Sequence, residues 1–192
     1  MDTNLQKELL IRKRIFPLTE KITKGLITNM ENSLIQMALE APKKAVTLIV
    51  DSDGGDVRSA LNGYDFLKSM PFEVNAAIIG ACHSSSLTII AGCKLRTAIT
   101  HSRFLFHAMT SELTIKVTED FEEQIKRGAD NLKISYEQVL KVQSEAYGLS
   151  REQLIELRMV GDKYDVRLTA EQAKERGVIH NIVERFDFLD EQ

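Results

Sequence analysis

An α/β fold built from repeated β-α-β units is predicted for this chain of 192 residues. Two short apolar runs, at 45–50 and 74–79, are continuous, as in parallel strands that are buried on both faces. Each run is followed by a segment with the pattern of a helix. This alternation implies parallel strands with right-handed crossovers, and the length suits a single domain over residues 1–192.

The first predicted elements are a short strand and a long helix. Residues 14–18, RIFPL, predict the strand. Residues 22–41 predict a helix that ends before Pro42. Its apolar residues recur at helical spacing: Leu26, Met30, Leu34 and Met37. The buried strand at 45–50 follows, and it ends in the polar and glycine-rich segment 51–55.

A second helix, a second buried strand and a third helix complete the first half. Apolar residues of the second helix share one face: Val57, Leu61, Tyr64 and Leu67. The strand at 74–79 is expected to end at Gly80. A run of three serines, Ser84 to Ser86, then opens a helix that continues through Ala91.

The second half has a different pattern. Residues 103–107 predict a strand, and residues 112–118 alternate apolar with polar side chains, as in a half-exposed strand. A long helix with a largely charged surface is predicted over 119–146. Two shorter helices, at 151–159 and 170–176, and a last strand, at 178–183, complete the chain.

Composition excludes several classes of protein. The 25 basic and 28 acidic residues give a formal charge of −3, so the chain has no sign of a nucleic-acid binder. The short basic run 12–14 is expected to be a solvated edge. Two cysteines, Cys82 and Cys93, lack metal-ligand spacing and suit a reducing, cytoplasmic compartment. We expect no signal peptide and no membrane-spanning segment.

Two strand-turn-helix junctions are candidate sites, because ligands bind at the carboxyl ends of parallel strands. Gly54 and Gly55 allow a sharp turn and offer exposed N–H groups to a developing oxyanion, although paired glycines also suit an ordinary tight turn. The second junction runs from Gly80 to Ser84. Its serines could simply cap a helix. The chain lacks both the GxSxG elbow and the phosphate-binding GxxxxGK[ST] loop.

A nucleophilic serine needs a base and a group that orients the base. Among four histidines, His107 ends an apolar strand, where a satisfied core histidine is the ordinary interpretation. His101 is expected to be exposed, and His180 lies in the last predicted strand. His83 adjoins the serines in the same turn, which is poor geometry for a base. Serine hydrolase is therefore one hypothesis among several.

Five stretches together resemble the family of ClpP, the proteolytic subunit of the Clp protease, over roughly residues 14–183. They are RIFPLTEKIT, DSDGGDV, GYDFLKSM, SRFLFHAM and DVRLTAEQAKERGVI. The second resembles the family's strand and Gly-Gly oxyanion segment, with Asp53 where proline is usual. The resemblance implies a ClpP/crotonase-type repeated β-α-β superhelix, with a protruding strand–helix handle at about residues 108–146.

The resemblance also implies the site residues. It assigns the catalytic histidine to His107 and the catalytic aspartate to Asp165, four residues before Thr-Ala. The interval from Gly55 assigns the nucleophile to Ser84, with the amides of Gly55 and Ser85 as the oxyanion hole. Ser84 would sit at a helix N-terminus, where the dipole supports a negative intermediate. Counting backwards from the end of the helix shifts the register, so Ser85 and His83 stay open as alternatives.

The implied activity is that of a serine endopeptidase, which degrades unfolded polypeptides or peptides inside an oligomeric chamber with a Ser-His-Asp triad. No cofactor and no metal are implied. The implied partner is the chain itself, in a ring homo-oligomer that is a heptamer or a pair of stacked heptamers. The family's other partner is an AAA+ ATPase.

Three alternatives stay open. The chain could be a catalytically inactive ClpP-like ring subunit, above all if His83 takes the position of the nucleophile. It could be a crotonase-type acyl-CoA enzyme, although serines stand where such enzymes place a carboxylate. It could also be a specialised or phage ClpP-like protease that works without an ATPase.

The chain departs from the family pattern at three places. The segment before the first strand, residues 1–13, is short, which predicts reduced axial loops for an ATPase to meet. Residues 108–110 replace the usual Gln-Pro and glycine-rich run. Lys163 and Tyr164 replace a charged pair that makes ring contacts, which weakens the expectation of a double ring.

Overall fold

A mixed sheet organises the molecule. The computed structural model describes residues 3–110, 117–158 and 165–186. The strands of these residues are β1 Ile15–Leu18, β2 Val46–Ser52, β3 Val74–His83, β4 Arg96–Ile99, β5 Arg103–His107, β6 Asp165–Thr169 and β7 Asn181–Val183. The helices are α1 Thr3–Arg12, α2 Lys24–Glu40, α3 Val57–Ser69, α4 Ser85–Ile90, α5 Phe121–Tyr147, α6 Arg151–Glu156 and α7 Ala170–Glu175.

Strand β3 positions the candidate site, because its neighbour changes along its length. The path β1-β2-β3-β4-β7 is parallel. Residues 76–78 of β3 pair with β4, whereas residues 81–83 pair in parallel with β5. β6 then runs antiparallel to β5. The carboxyl ends of β3 and β5 therefore lie side by side.

The apolar runs of the sequence form the core, as predicted. Alternate residues of β2 are buried, and Phe104 and Phe106 of β5 are almost completely buried. Three residues of the face predicted for α2 are fully buried: Met30, Leu34 and Met37. Helix α3 approaches α2 closely at Gly63, since a Cβ there would lie 3.2 Å from Ile27 Cδ1. Each large apolar side chain buried in this way contributes roughly 1.5–3 kcal/mol to folding.

Several predicted elements need correction. β3 does not end at Gly80 but continues to His83, because residues 81–83 find a partner strand in β5. The sheet is not wholly parallel, since β6 pairs antiparallel with β5. Three elements, α1, β4 and β6, were not predicted. On α3, Leu67 is buried, whereas the other residues of the predicted face are only half-buried: Val57, Leu61 and Tyr64.

The expectation of a solvated basic edge at residues 12–14 is wrong for Arg14, which is only 5% exposed. Its guanidinium donates to the carbonyl oxygens of Ala45 at 3.1 Å, Met37 at 2.6 Å and Lys44 at 2.5 Å. It also lies over the ring of Phe72, 4.9 Å from the centroid. Arg14 thus ties the end of α2 to the start of β2, since its charge is compensated by carbonyl dipoles.

Helix α5 leaves much of its length outside the core. Its buried residues lie in its last third: Val139, Leu140, Gln143 and Tyr147. Three large apolar side chains of the rest are exposed: Phe121, Ile125 and Ile134. The strand predicted at 112–118 falls mostly on 112–116, outside the described residues. None of the helices in the described ranges is long and apolar enough to cross a bilayer.

Candidate active site

Ser84 occupies a strained turn between β3 and α4. Its φ of 55° and ψ of −123° place a non-glycine residue in a region that L-amino acids rarely adopt. Its backbone N–H donates to the Leu105 carbonyl oxygen at 2.8 Å, which continues the ladder between β3 and β5. Its hydroxyl makes no capping hydrogen bond to α4. The side chain is therefore available for another partner.

That partner is His107, the last residue of β5. The Ser84 Oγ atom lies 2.7 Å from His107 Nε2. The other ring nitrogen, Nδ1, lies 2.6 Å from the Ala108 carbonyl oxygen. Because a carbonyl can only accept, Nδ1 carries the proton, and Nε2 accepts from the Ser84 hydroxyl. This is the tautomer in which a histidine can take a proton from a serine.

Asp165 lies beside His107 but does not contact its ring nitrogen. The two residues are direct partners in the antiparallel register of β5 and β6. Directly opposed residues place their side chains on the same face of a sheet, with Cβ atoms about 5 Å apart. The Asp165 side chain is exposed, and no hydrogen bond within the described part of the chain joins it to His107. The Ala108 carbonyl holds the position where the triad needs a carboxylate.

Gly54 and Gly55 bring a second backbone segment against the Ser84 turn. Gly54 has a φ of 89°, and a Cβ there would lie 2.7 Å from the Cβ of Ser84. Gly55 has a φ of 150° and forms a parallel bridge with Ile22. The N–H groups of Gly55 and Ser85 find no acceptor among the described residues. Both are free to donate to a bound group.

The two alternatives to Ser84 have other environments. Ser85 is 3% exposed, and its hydroxyl has no hydrogen-bond partner among the described residues. His83 Nδ1 lies 2.9 Å from Asp53 Oδ1, in a pair whose carboxylate is 90% exposed. The third serine, Ser86, donates to the His83 carbonyl oxygen at 2.6 Å. Of these side chains, only Ser84 reaches His107.

The remaining histidines and the cysteines do not belong to the site. His101 is exposed, as predicted. His180 precedes β7 rather than lying in it, and its Nδ1 accepts from the Arg96 backbone at 3.0 Å. Burial raises the pKa of the Cys82 and Cys93 thiols to about 12, so neither is a nucleophile near neutral pH. No cluster of possible metal ligands occurs within the described ranges.

Two cavities meet at Ser84 and His107. The larger, of about 570 Å³, lies on the side of Gly54, and its lining includes three acidic residues, Glu20, Asp51 and Asp53. The smaller, of about 80 Å³, extends towards α5. An extended polypeptide bound across the Ser84–His107 pair would occupy both cavities.

The smaller cavity contains polar residues that the sequence analysis did not identify. Gln143 and Arg158 are 1% and 4% exposed, and both line it together with Thr88. Burial lowers the pKa of the Arg158 guanidinium, against a smaller opposing effect of Tyr136. One signal was present in the sequence: Gln143 lies at helical spacing from Val139 and Tyr147, so a polar side chain interrupts an apolar stripe.

The chain is similar to known proteins over nearly its whole length. The model of the Clp protease family matches residues 2–186. The ATP-dependent Clp protease proteolytic subunit 1 of Streptomyces avermitilis is 27% identical over 97% of this chain and 82% of its own. The proteolytic subunit 2 of Chlamydia pneumoniae is 28% identical over 91% of this chain and 82% of its own.

The fold is also similar to that of a solved structure. A mutant of ClpP1 from Listeria monocytogenes superposes with a TM-score of 0.81, covering 96% of this chain and 99% of that one, at 21% sequence identity. The ClpP/crotonase-type fold predicted from the sequence is thereby confirmed. With the family match over residues 2–186, these findings show that the chain belongs to the Clp protease family.

Proposed function

We propose that this chain is a serine endopeptidase that cleaves unfolded polypeptides or peptides, with Ser84 as nucleophile and His107 as general base. The observation that carries the proposal is the 2.7 Å contact between Ser84 Oγ and His107 Nε2, in the tautomer that can accept the serine proton. The names of the relatives, which are proteolytic subunits, support the same class of reaction.

The first half of the reaction forms an acyl-enzyme. Ser84 Oγ attacks the carbonyl carbon of the scissile bond while its proton passes to His107 Nε2. The N–H groups of Gly55 and Ser85 donate to the oxyanion that develops, and they are available because they have no acceptor among the described residues. The C–N bond then breaks, and the leaving amine takes the proton from His107.

The second half is hydrolysis. A water molecule attacks the acyl carbon and gives its proton to His107 Nε2. The C–O bond to Ser84 then breaks, and Ser84 Oγ regains the proton. His107 therefore returns to its starting tautomer after each cycle.

Asp165 is the proposed third member of the triad. Its register with His107 supports this, since a change of rotamer would bring the carboxylate towards Nδ1 in place of the Ala108 carbonyl. The carboxylate would stabilise the imidazolium that forms in each half of the reaction.

The same observations keep one alternative open, which is a catalytically inactive ring subunit. The contact of His107 Nδ1 with Ala108 rather than Asp165 favours it. The two candidates differ in one respect that can be measured, which is whether Ser84 reacts.

We further propose that the chain works as a ring homo-oligomer in the cytoplasm, as a heptamer or two stacked heptamers. Exposed apolar side chains on α5 support an oligomer, because they do not stabilise a helix that is surrounded by water and would be buried at a subunit interface. These side chains are Phe121, Ile125 and Ile134. The relatives are named as subunits of ATP-dependent proteases, so an AAA+ ATPase is the proposed partner for substrate delivery.

Labelling with a fluorophosphonate and mapping of the adduct by mass spectrometry tests the activity. We expect the adduct on Ser84, no adduct in Ser84→Ala or His107→Ala, and full labelling in His101→Ala, which changes an exposed histidine outside the site. A chain that binds no probe at Ser84 under any condition in which it forms its oligomer would identify the inactive subunit instead.

A further inference from the structure

The smaller cavity beside Ser84 has an apolar wall and a polar end. Leu87 and Val139 belong to the wall. The polar end is formed by four side chains that are almost completely buried: Ser85, Thr88, Gln143 and Arg158. A pocket that served only an apolar side chain would gain nothing from this burial of polar groups, because each of them has to be desolvated.

Arg158 is the charged group of the cavity. It donates to the Leu154 carbonyl oxygen at 2.6 Å and to Gln143 Oε1 at 2.5 Å, and it lies 5.5 Å from the ring centroid of Phe106. A guanidinium has five N–H donors, so these two bonds leave others available. Within the described part of the chain, no carboxylate pairs with it. Arg14 donates to three carbonyl oxygens, whereas Arg158 has one carbonyl and one amide oxygen, so its buried charge is less fully compensated and would be stabilised by a bound anion.

The other polar groups are arranged around Arg158. Gln143 accepts from Arg158 through Oε1 and donates through Nε2 to Thr88 Oγ1 at 3.2 Å. This pairing fixes the amide orientation and keeps the guanidinium in place. The Ser85 hydroxyl has no partner among the described residues. A ligand that offers hydrogen-bond acceptors would therefore satisfy both Arg158 and Ser85.

We propose that this cavity binds the side chain of the residue preceding the scissile bond and selects a carboxylate, so that the protein cleaves after glutamate or aspartate. The proposal rests on the proposed function, because the cavity sorts substrates only if Ser84 is acylated. The apolar wall would hold the methylene part of the side chain, and Arg158 would receive the carboxylate. A volume of about 80 Å³ accommodates a short side chain such as that of glutamate or aspartate.

The test uses fluorogenic peptides that differ only in the residue before the scissile bond, which is Glu, Gln, Leu or Arg. For the unchanged chain we expect kcat/KM for Glu to exceed that for Leu at least tenfold, with Gln between them. Arg158→Met should remove or reverse this preference, and Arg158→Lys should keep part of it. Lys133→Met is the matched control, since Lys133 is an exposed cation of α5 outside the cavity, and it should leave the preference unchanged.

The outcomes separate the two proposals. If Ser84 binds the fluorophosphonate but the unchanged chain cleaves the Leu peptide as well as the Glu peptide, the selectivity proposal is wrong and the endopeptidase proposal stands. If Ser84 neither binds the probe nor cleaves any peptide, both are wrong. Should Arg158→Met fail to fold, the peptide series on the unchanged chain and on Arg158→Lys still decides the question.

Discussion

Replacement of Asp165 by asparagine tests whether the carboxylate or the Ala108 carbonyl supports His107 during the reaction. Asparagine keeps the size of the side chain and the backbone pairing of β5 with β6. It removes the negative charge that would face the imidazolium. Since the Ala108 carbonyl oxygen still accepts the hydrogen bond from His107 Nδ1 at 2.6 Å, the tautomer of His107 should survive the change.

The magnitude follows from the charge that is lost. An imidazolium and a carboxylate about 4 Å apart attract each other by about 1 kcal/mol in water and about 4 kcal/mol at the effective dielectric of a protein surface. Asp165 is exposed, but bound polypeptide would cover the site and move the pair towards the larger value. Because each 1.36 kcal/mol changes a rate tenfold, kcat should fall by roughly 5 to 1,000-fold.

Steady-state hydrolysis of a fluorogenic peptide measures this effect, with kcat and KM determined separately. The loss should lie in kcat, because the charge acts on a state that forms only during the reaction. Glu175→Gln, at an exposed position at the end of α7, controls for the removal of a negative charge. If kcat of Asp165→Asn stays within threefold of the unchanged chain, Asp165 has no catalytic role and the Ala108 carbonyl suffices.

Four further outcomes are expected. Gly54→Ala should displace the Ser84 turn, abolish probe labelling and lower the free energy of unfolding in urea by at least 1–2 kcal/mol, since φ is 89° there; labelling at the original rate would contradict the described turn. Cys82 and Cys93 should resist iodoacetamide at pH 8, where a pKa of about 12 leaves roughly one thiolate in ten thousand, and should react on unfolding. His107→Ala should lose peptide hydrolysis, and equal activity in this variant would exclude His107 as the base. Light scattering coupled to size-exclusion chromatography should give a multiple of 21.7 kDa, and a monomer at micromolar concentration would refute the ring.

The sequence predicted the elements whose pattern is local. The apolar runs of β2 and the first half of β3 and the stripe of α2 are recognisable because burial repeats with the period of the element. The prediction that His107 ends its strand rests on the same local pattern, because the apolar run at 103–107 stops there. The pairing of Ser84 with His107 was predicted through family resemblance rather than local pattern, and the geometry agrees with it.

What the sequence analysis missed depends on distant partners. Gly80 is a poor strand residue, so the strand was expected to end there, yet pairing with β5 carries β3 onward. Arg14 looks like a surface cation until the carbonyls that surround it are known. Arg158 likewise becomes a candidate specificity residue only when α5 and α6 bring Gln143 and Leu154 to it.

The backbone hydrogen bond from Ser84 to Leu105 makes the site easy to monitor. Strand β5 carries His107 two residues further on, so this one bond joins the segment of the proposed nucleophile to the segment of the proposed base. Any fluctuation that separates the two side chains by moving their strands has to break it. The rate at which the Ser84 amide exchanges its hydrogen with deuterated solvent would therefore report the fraction of subunits with an assembled site, even in a ring where no substrate is being turned over.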